Sequence, residues 1–239
     1  MTIAIKPSLG ATFKPYSYGS NACFKAVTIG GPTPTQITDT SGRGNHGVFT
    51  NAPTPALVGD LWTYQFVSEQ SNYVTVPDIT ELLGATAATW CAWVRKDAYV
   101  ANQCVASDFN AAGSQRWLFG REYDHATDWY VAVGDGTNTQ TASVSLSYAV
   151  GWHFVWMRFT GSSATGLETG VDEAVATPKS TVSVAALGTG VKNQTYIGRY
   201  PLAAAYSSIT LAALGIAARA LTDEQIAIWR EKYRPLIGV

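Results

Sequence analysis

Trp152-His153-Phe154-Val155-Trp156-Met157-Arg158-Phe159 decides the fold of this chain. Read with a period of two, it separates into Trp152, Phe154, Trp156, Arg158 and His153, Val155, Met157, Phe159. Both sets are largely apolar, so the segment reads as a strand covered on both faces. Thr89-Trp90-Cys91-Ala92-Trp93-Val94 has the same character. Tyr73-Val74-Thr75-Val76 alternates instead, as a strand with one face on the core. Between such runs, turn signals recur: Gly30-Gly31-Pro32, Ser41-Gly42, Asn51-Ala52-Pro53, Val58-Gly59-Asp60, Ala112-Gly113-Ser114, Gly134-Asp135-Gly136 and Thr160-Gly161-Ser162. Their spacing predicts an all-β sandwich or barrel of roughly a dozen strands.

One helix stands apart. Thr222-Asp223-Glu224-Gln225 is a capping box, in which Thr222 accepts the N3 amide proton and Gln225 reaches back to the cap. Asp223 and Glu224 suit the positive end of the helix dipole. Ile226, Trp229 and Tyr233 form one apolar stripe, and Pro235 closes the segment. The expectation is a short amphipathic helix docked on the sandwich.

Composition bounds the function. Hydrophobic residues make up 46% of the 239 residues, enough for one large core, while charged residues are only 14%, against about 25% in ordinary soluble domains. Net charge is −1 with no basic run, which argues against nucleic acid, whose phosphates supply most of the affinity. No apolar stretch approaches the roughly 20 residues of a membrane span. Met1-Thr2-Ile3-Ala4-Ile5-Lys6-Pro7 lacks a basic n-region and an apolar run, so export by the usual signal-peptide route is not expected. Residues 1–20 precede the patterned region and read as an edge strand or extended arm, with 21–239 forming a single domain. Cys23, Cys91 and Cys104 have no metal-ligand spacing and read as reduced, buried thiols, with a Cys91–Cys104 bridge as the alternative.

Several segments, in order, resemble the laminin-G-like, concanavalin A-like jelly-roll domains of bacterial and phage surface proteins. They are the turn Asp39-Thr40-Ser41-Gly42-Arg43-Gly44-Asn45-His46-Gly47; Phe66 followed by Tyr73-Val74-Thr75-Val76; the two tryptophan-rich strands; Tyr196-Ile197-Gly198-Arg199; and Arg219-Ala220-Leu221-Thr222-Asp223-Glu224-Gln225-Ile226. The resemblance implies a two-sheet antiparallel jelly-roll sandwich with one short C-terminal helix. The chain departs from the family pattern where relatives carry Phe-Asp-Gly (here Phe66-Val67-Ser68), an Asp-Gly hairpin (here Thr169-Gly170-Val171-Asp172) and an Asp-Glu pair (here Ala212-Ala213-Leu214-Gly215). Those acidic positions hold calcium-linked chemistry in relatives, so their loss argues against a calcium site. The oxygens such a site would draw on are Asp39, Asn45, Asp78, Asp124 and Asp128.

No other segment brings aromatics and carboxylates so close together as Glu122-Tyr123-Asp124-His125-Ala126-Thr127-Asp128-Trp129-Tyr130. An aromatic face beside hydroxyl-accepting carboxylates suits a sugar, which makes Tyr123, Asp124, His125, Asp128 and Trp129 the candidate ligand-binding residues. The competing reading puts Trp129 and Tyr130 on a strand as core. Glu122 and Asp124 have no third carboxylate in register, so glycosidic cleavage, which needs two flanking carboxyls about 5–9.5 Å apart, is not expected. His46 reads as a turn residue bonding the backbone and His153 as a satisfied, half-buried histidine. No cofactor is expected.

The expectation is a non-catalytic surface-binding or structural protein of a virion, as a phage capsid decoration or tail component, located on the virion surface. Its partners would be other virion or surface proteins, copies of itself, and glycans; neither nucleic acid nor membrane is expected. The alternative is a carbohydrate-binding module of a cell-surface or extracellular protein, with a glycoside hydrolase behind both.

Overall fold

A computed structural model describes residues 22–27, 36–98, 100, 102–109, 115–122, 128–145, 150–161, 163–176, 182–190, 194–201 and 205–239, with the main chain alone for 22–27, 109, 115, 121, 122, 128, 145 and 176. Two antiparallel sheets stack face to face. Sheet A runs in the order β14 (Ala174–Ala176), β13 (Leu167–Val171), β12 (Gly151–Thr160), β7 (Ala87–Lys96), β18 (Ile209–Ala217), β5 (Leu61–Phe66) and β4 (Thr54–Val58), and β1 (Ala22–Val27) joins the far half of β18. Sheet B runs β11 (Thr139–Ser145), β10 (Asp128–Gly134), β9 (Gln115–Glu122), β8 (Cys104–Phe109), β15 (Gln194–Ile197), β6 (Tyr73–Val76), β3 (Gly47–Thr50) and β2 (Gln36–Ile37). This is a concanavalin A-like jelly roll, with one short C-terminal helix as the sequence leads one to expect.

The doubly apolar strands lie where their patterns require. β12 and β7 pair along their whole lengths, from Gly151 opposite Lys96 to Thr160 opposite Ala87. Val155, Met157, Phe159, Trp90, Ala92 and Val94 point into the space between the sheets. Phe154, Trp156, Cys91 and Trp93 point the other way, beneath α1 (Asp223–Tyr233). The capping box of α1 is complete, and Ile226, Trp229 and Tyr233 are its buried residues. Burying each contributes roughly 1.5–3 kcal/mol. The Trp93 indole donates to the Arg230 carbonyl at 3.0 Å, which fixes the helix to the sheet.

Irregularities in sheet B serve the interior. A bulge sets Asp108 opposite Trp117 and Phe109 opposite Gln115, leaving Arg116 between them as the extra residue. The bulge turns the Arg116 side chain inward, where its guanidinium reaches Asp78 at 3.0 Å and lies 3.6 Å from Asp108. A second bulge lies between β9 and β10, where Gly120 has φ +71°. The Trp129 ring lies directly over Gly120, occupying the space that a Cβ would need.

Cys91 and Cys104 are free thiols, and the Cys23 side chain lies outside the described residues. Cys91 sits under the helix on the outer side of sheet A, and Cys104 lies on the outer side of sheet B. They occupy opposite exteriors of the sandwich, so the alternative of a Cys91–Cys104 bridge is overturned, because bridged Cβ atoms must approach within about 4.5 Å. The His46 Nδ1 accepts from the Asp39 amide at 3.1 Å and so holds the turn. No helix among the described residues is long and apolar enough to cross a membrane.

Candidate ligand-binding face

The outer face of sheet B can be read directly from register. Val48 lies opposite Thr75, Thr75 opposite Tyr196, Tyr196 opposite Ser107, Ser107 opposite Leu118, and Leu118 opposite Ala132. Paired residues share a face, so this row lies on the side away from Val74, Val76 and Ile197, which belong to the core. Tyr73, two residues before Thr75, is on the same side. The alternation in β6 therefore places valines inside and Tyr73 and Thr75 outside.

After Ile197 the chain leaves sheet B at Gly198, whose φ is +76°. A Cβ there would meet the Phe66 ring at 2.6 Å, so glycine is required twice over. The turn carries β16 (Arg199–Tyr200) onto the outer face, where it pairs with β17 (Ala205–Tyr206). Ser107 Oγ donates to the Arg199 carbonyl at 2.8 Å and Cys104 Sγ approaches it at 3.1 Å. Ser207 closes the base of the hairpin through the Cys104 amide and carbonyl, at 3.0 and 2.7 Å. Tyr200 packs with Cys104, Leu118 and Ala132, with Tyr130 and Ala205 at the margin.

This arrangement gathers three tyrosines around one guanidinium. Arg199 Cζ lies 4.7 Å from the Tyr73 ring centroid, 5.1 Å from Tyr196 and 5.8 Å from Tyr206. The Tyr73 ring is 6.0 Å from each of the other two. The cation is attracted to the negative ring faces and holds the rings in fixed orientation. The Tyr196 hydroxyl donates to Gln194 Oε1 at 2.7 Å. All three rings are half-buried, so each combines an apolar surface with a polar tip. Rigid aromatic surface bordered by hydroxyl, amide and guanidinium groups suits a hydroxyl-rich guest with an apolar ring face. Among the described side chains of this face, none is a carboxylate.

The residues expected from the sequence are described only in part. Tyr123, Asp124 and His125 lie outside the described residues, and of Asp128 only the main chain is described, opposite Ser145. Trp129 is 2% exposed, lies edge-on to Phe119 at 5.6 Å and donates to Thr169 Oγ1 at 3.1 Å. Its indole serves the core between the sheets, the competing role its sequence context allowed. Its neighbour Tyr130 faces outward beside the hairpin. Of the calcium-site oxygens, Asp39 accepts the amides of Ser41 and Asn45, and Asp78 accepts from Arg116. Among the described residues, no group of three or more His, Cys, Asp or Glu is placed to hold a metal. Sequence reasoning missed Tyr73, Tyr196, Tyr206 and Arg199. The available signal was tyrosine at period-two positions opposite core valines and isoleucine.

Residues 68–227 match the family described as the concanavalin A-like lectin/glucanases superfamily, and the chain belongs to it. Among solved structures it is similar to the receptor-binding domain of botulinum neurotoxin type G, at 10% identity and TM-score 0.63, covering 89% of this chain and 51% of that one. It is also similar to a botulinum neurotoxin type C structure, at 12% identity and TM-score 0.64, covering 92% and 53%; cell invasion by that toxin depends on interaction with two ganglioside molecules. A third is the binding domain of neurotoxin DC in complex with rat synaptotagmin II, at 13% identity and TM-score 0.62, covering 90% and 52%. The chain spans about half the length of these structures, and the likeness is one of fold. No curated protein matches the chain by sequence.

Proposed function

We propose that this chain is a non-catalytic binding domain that holds glycans on the outer face of sheet B. The observation that carries the reading is the cluster of Tyr73, Tyr196 and Tyr206 locked around Arg199. The family supports it in kind, since lectins belong to it, and the neurotoxin domains of the same fold bind gangliosides or a protein receptor. The non-catalytic reading rests on the chemistry of the face: phenols, an amide and a guanidinium bind hydroxyls but supply neither the acid nor the nucleophile of glycoside cleavage. A glycan array followed by calorimetry tests it. Binding should weaken by about tenfold or more in Tyr196→Ala and Tyr73→Ala, a loss of about 1.4 kcal/mol or more. Flat binding across the array, or turnover of a bound glycan, would overturn it.

The same proposal places the domain on a virion surface, among other virion proteins and copies of itself. Support comes from the 14% charge content and from large aliphatic side chains standing exposed, with Val48 at 61% and Leu57 at 59%, since exposed apolar surface at sheet margins favours contact with neighbours. Immunogold labelling of purified particles is the test, and a monomer absent from particles would remove this part.

A further inference from the structure

On the opposite side of the sandwich a groove runs between α1 and the turn joining β13 to β14. Its larger compartment, about 390 Å³, falls within the roughly 300–1,000 Å³ of sites that receive small groups. The floor is aromatic, from Phe154 and Trp156, and the sides carry the aliphatic groups of Val175, Ile226 and Ala227. Val175 is 67% exposed.

The charges of this compartment do not balance. Four carboxylates line it, Glu168, Asp172, Glu173 and Asp223, against two guanidiniums, Arg158 and Arg230, a difference of 4 − 2 = 2 negative charges. The local pairing shows where the excess lies. Arg158 is shared between Glu168, at 2.5 Å, and Asp223, at 2.7 Å, so one positive charge faces two negative ones. Arg230 directs its Nε to Glu231, outside the groove, at 2.8 Å, and its charge also acts on Asp172. Asp172 accepts from the Phe154 amide and pairs with His153 at 2.8 Å. Glu173 makes no ion pair or hydrogen bond with the described residues, and it lines this compartment and the adjoining one of about 370 Å³. The floor already accommodates a cation, since Arg158 Cζ stands 5.7 Å from the Trp156 ring centroid.

From this charge complementarity we propose that the groove is a docking site for a basic side chain, a lysine or arginine, of a partner protein. The aliphatic stem lies along Val175, Ile226 and Ala227, and the charged head reaches Glu173 and the shared carboxylates around Arg158. A long side chain with an apolar stem and a cationic tip matches both halves of the lining. The site is separate from the tyrosine face and does not depend on the glycan reading.

The test uses the full chain and two acetylated, amidated pentapeptides, one bearing two lysines and the other norleucine in their place. Affinities are measured by fluorescence anisotropy at about 0.01 M and about 0.15 M salt, where screening lengths differ by roughly fourfold. The lysine peptide should bind about tenfold tighter than the norleucine peptide at low salt and lose most of that advantage at the higher salt. Glu173→Lys, in an exposed turn, should abolish the difference, Glu173→Gln should reduce it, and Tyr196→Ala should leave it intact. Equal affinity of the two peptides, or an undiminished preference in Glu173→Lys, would overturn the proposal.

Discussion

Replacing Gly120 by alanine should cost far more than a methyl group on a strand ordinarily would. Two effects add. The position has φ +71°, a conformation that costs an L-residue about 1–2 kcal/mol. The new Cβ would also lie 2.0 Å from Trp129 Cη2 and 2.5 Å from Cζ2, where carbon atoms require about 3.5–4.0 Å. The indole has no room to yield, because it is wedged against Phe119 and tied to Thr169. Overpacking of this kind costs about 1–3 kcal/mol, and loss of the Thr169 hydrogen bond adds about 0.5–1.5 kcal/mol. The expected loss is therefore about 2.5–6.5 kcal/mol, a large share of the roughly 5–15 kcal/mol by which domains are stable. Gly136→Ala is the control: its φ is +96° but nothing lies within 4 Å of the added carbon, so it reports backbone strain alone. Urea unfolding followed by tryptophan fluorescence measures both variants. A Gly120→Ala loss no larger than that of Gly136→Ala would refute the steric reasoning.

Thr222→Ala removes the hydroxyl that accepts the Gln225 amide at 3.3 Å and should lower stability by about 1 kcal/mol, read from the urea midpoint. Burial works to raise the Asp172 carboxyl, but the His153 hydrogen bond, the Phe154 amide and the charges of His153 and Arg230 outweigh it and hold the group below its ordinary value. A depressed carboxyl stabilises the fold above its unfolded pKa of about 3.9, and that contribution is lost as pH falls through the lower folded value. Stability of the wild type should thus decline more steeply than that of Asp172→Asn below about pH 4, as measured by urea titrations at stepped pH. Burial pushes the Cys91 thiol well up, and Cys91 and Cys104 are both inaccessible. Iodoacetamide at about pH 8 should modify neither in the native protein and both after unfolding, as read by mass spectrometry.

The fold was legible because its decisive strands carry their answer locally. Two apolar faces on Trp152–Phe159 and on Thr89–Val94 can be satisfied only by a sheet covered twice, and the helix that supplies the second cover announces itself in Thr222-Asp223-Glu224-Gln225. The candidate face was not legible for the opposite reason. Tyr73, Tyr196, Arg199 and Tyr206 meet only because β6 and β15 are neighbours and a left-handed Gly198 throws the next hairpin over them. Trp129 misled because an aromatic beside carboxylates looks alike in a binding loop and at the inward position of a strand. Gly120, which makes room for that indole, has no local signature, since its need for positive φ arises from a bulge set by pairing with β10. The groove beneath α1 likewise depends on Asp172 and Glu173, distant in sequence from Asp223 and Arg230.

The position of β18 has a consequence for biosynthesis. This strand sits in the middle of sheet A, yet it is the last of the described strands. Until Ile209–Ala217 has been made, β14, β13, β12 and β7 have no link to β5 and β4, and β1 lacks the one partner it has among the described strands. At a synthesis rate of about 5–20 residues per second, both half-sheets stay unjoined for about 2–8 seconds between the end of β14 and the end of β18. A chaperone meeting the nascent chain in that interval encounters open strand margins, and the sheet closes only once β18 is made.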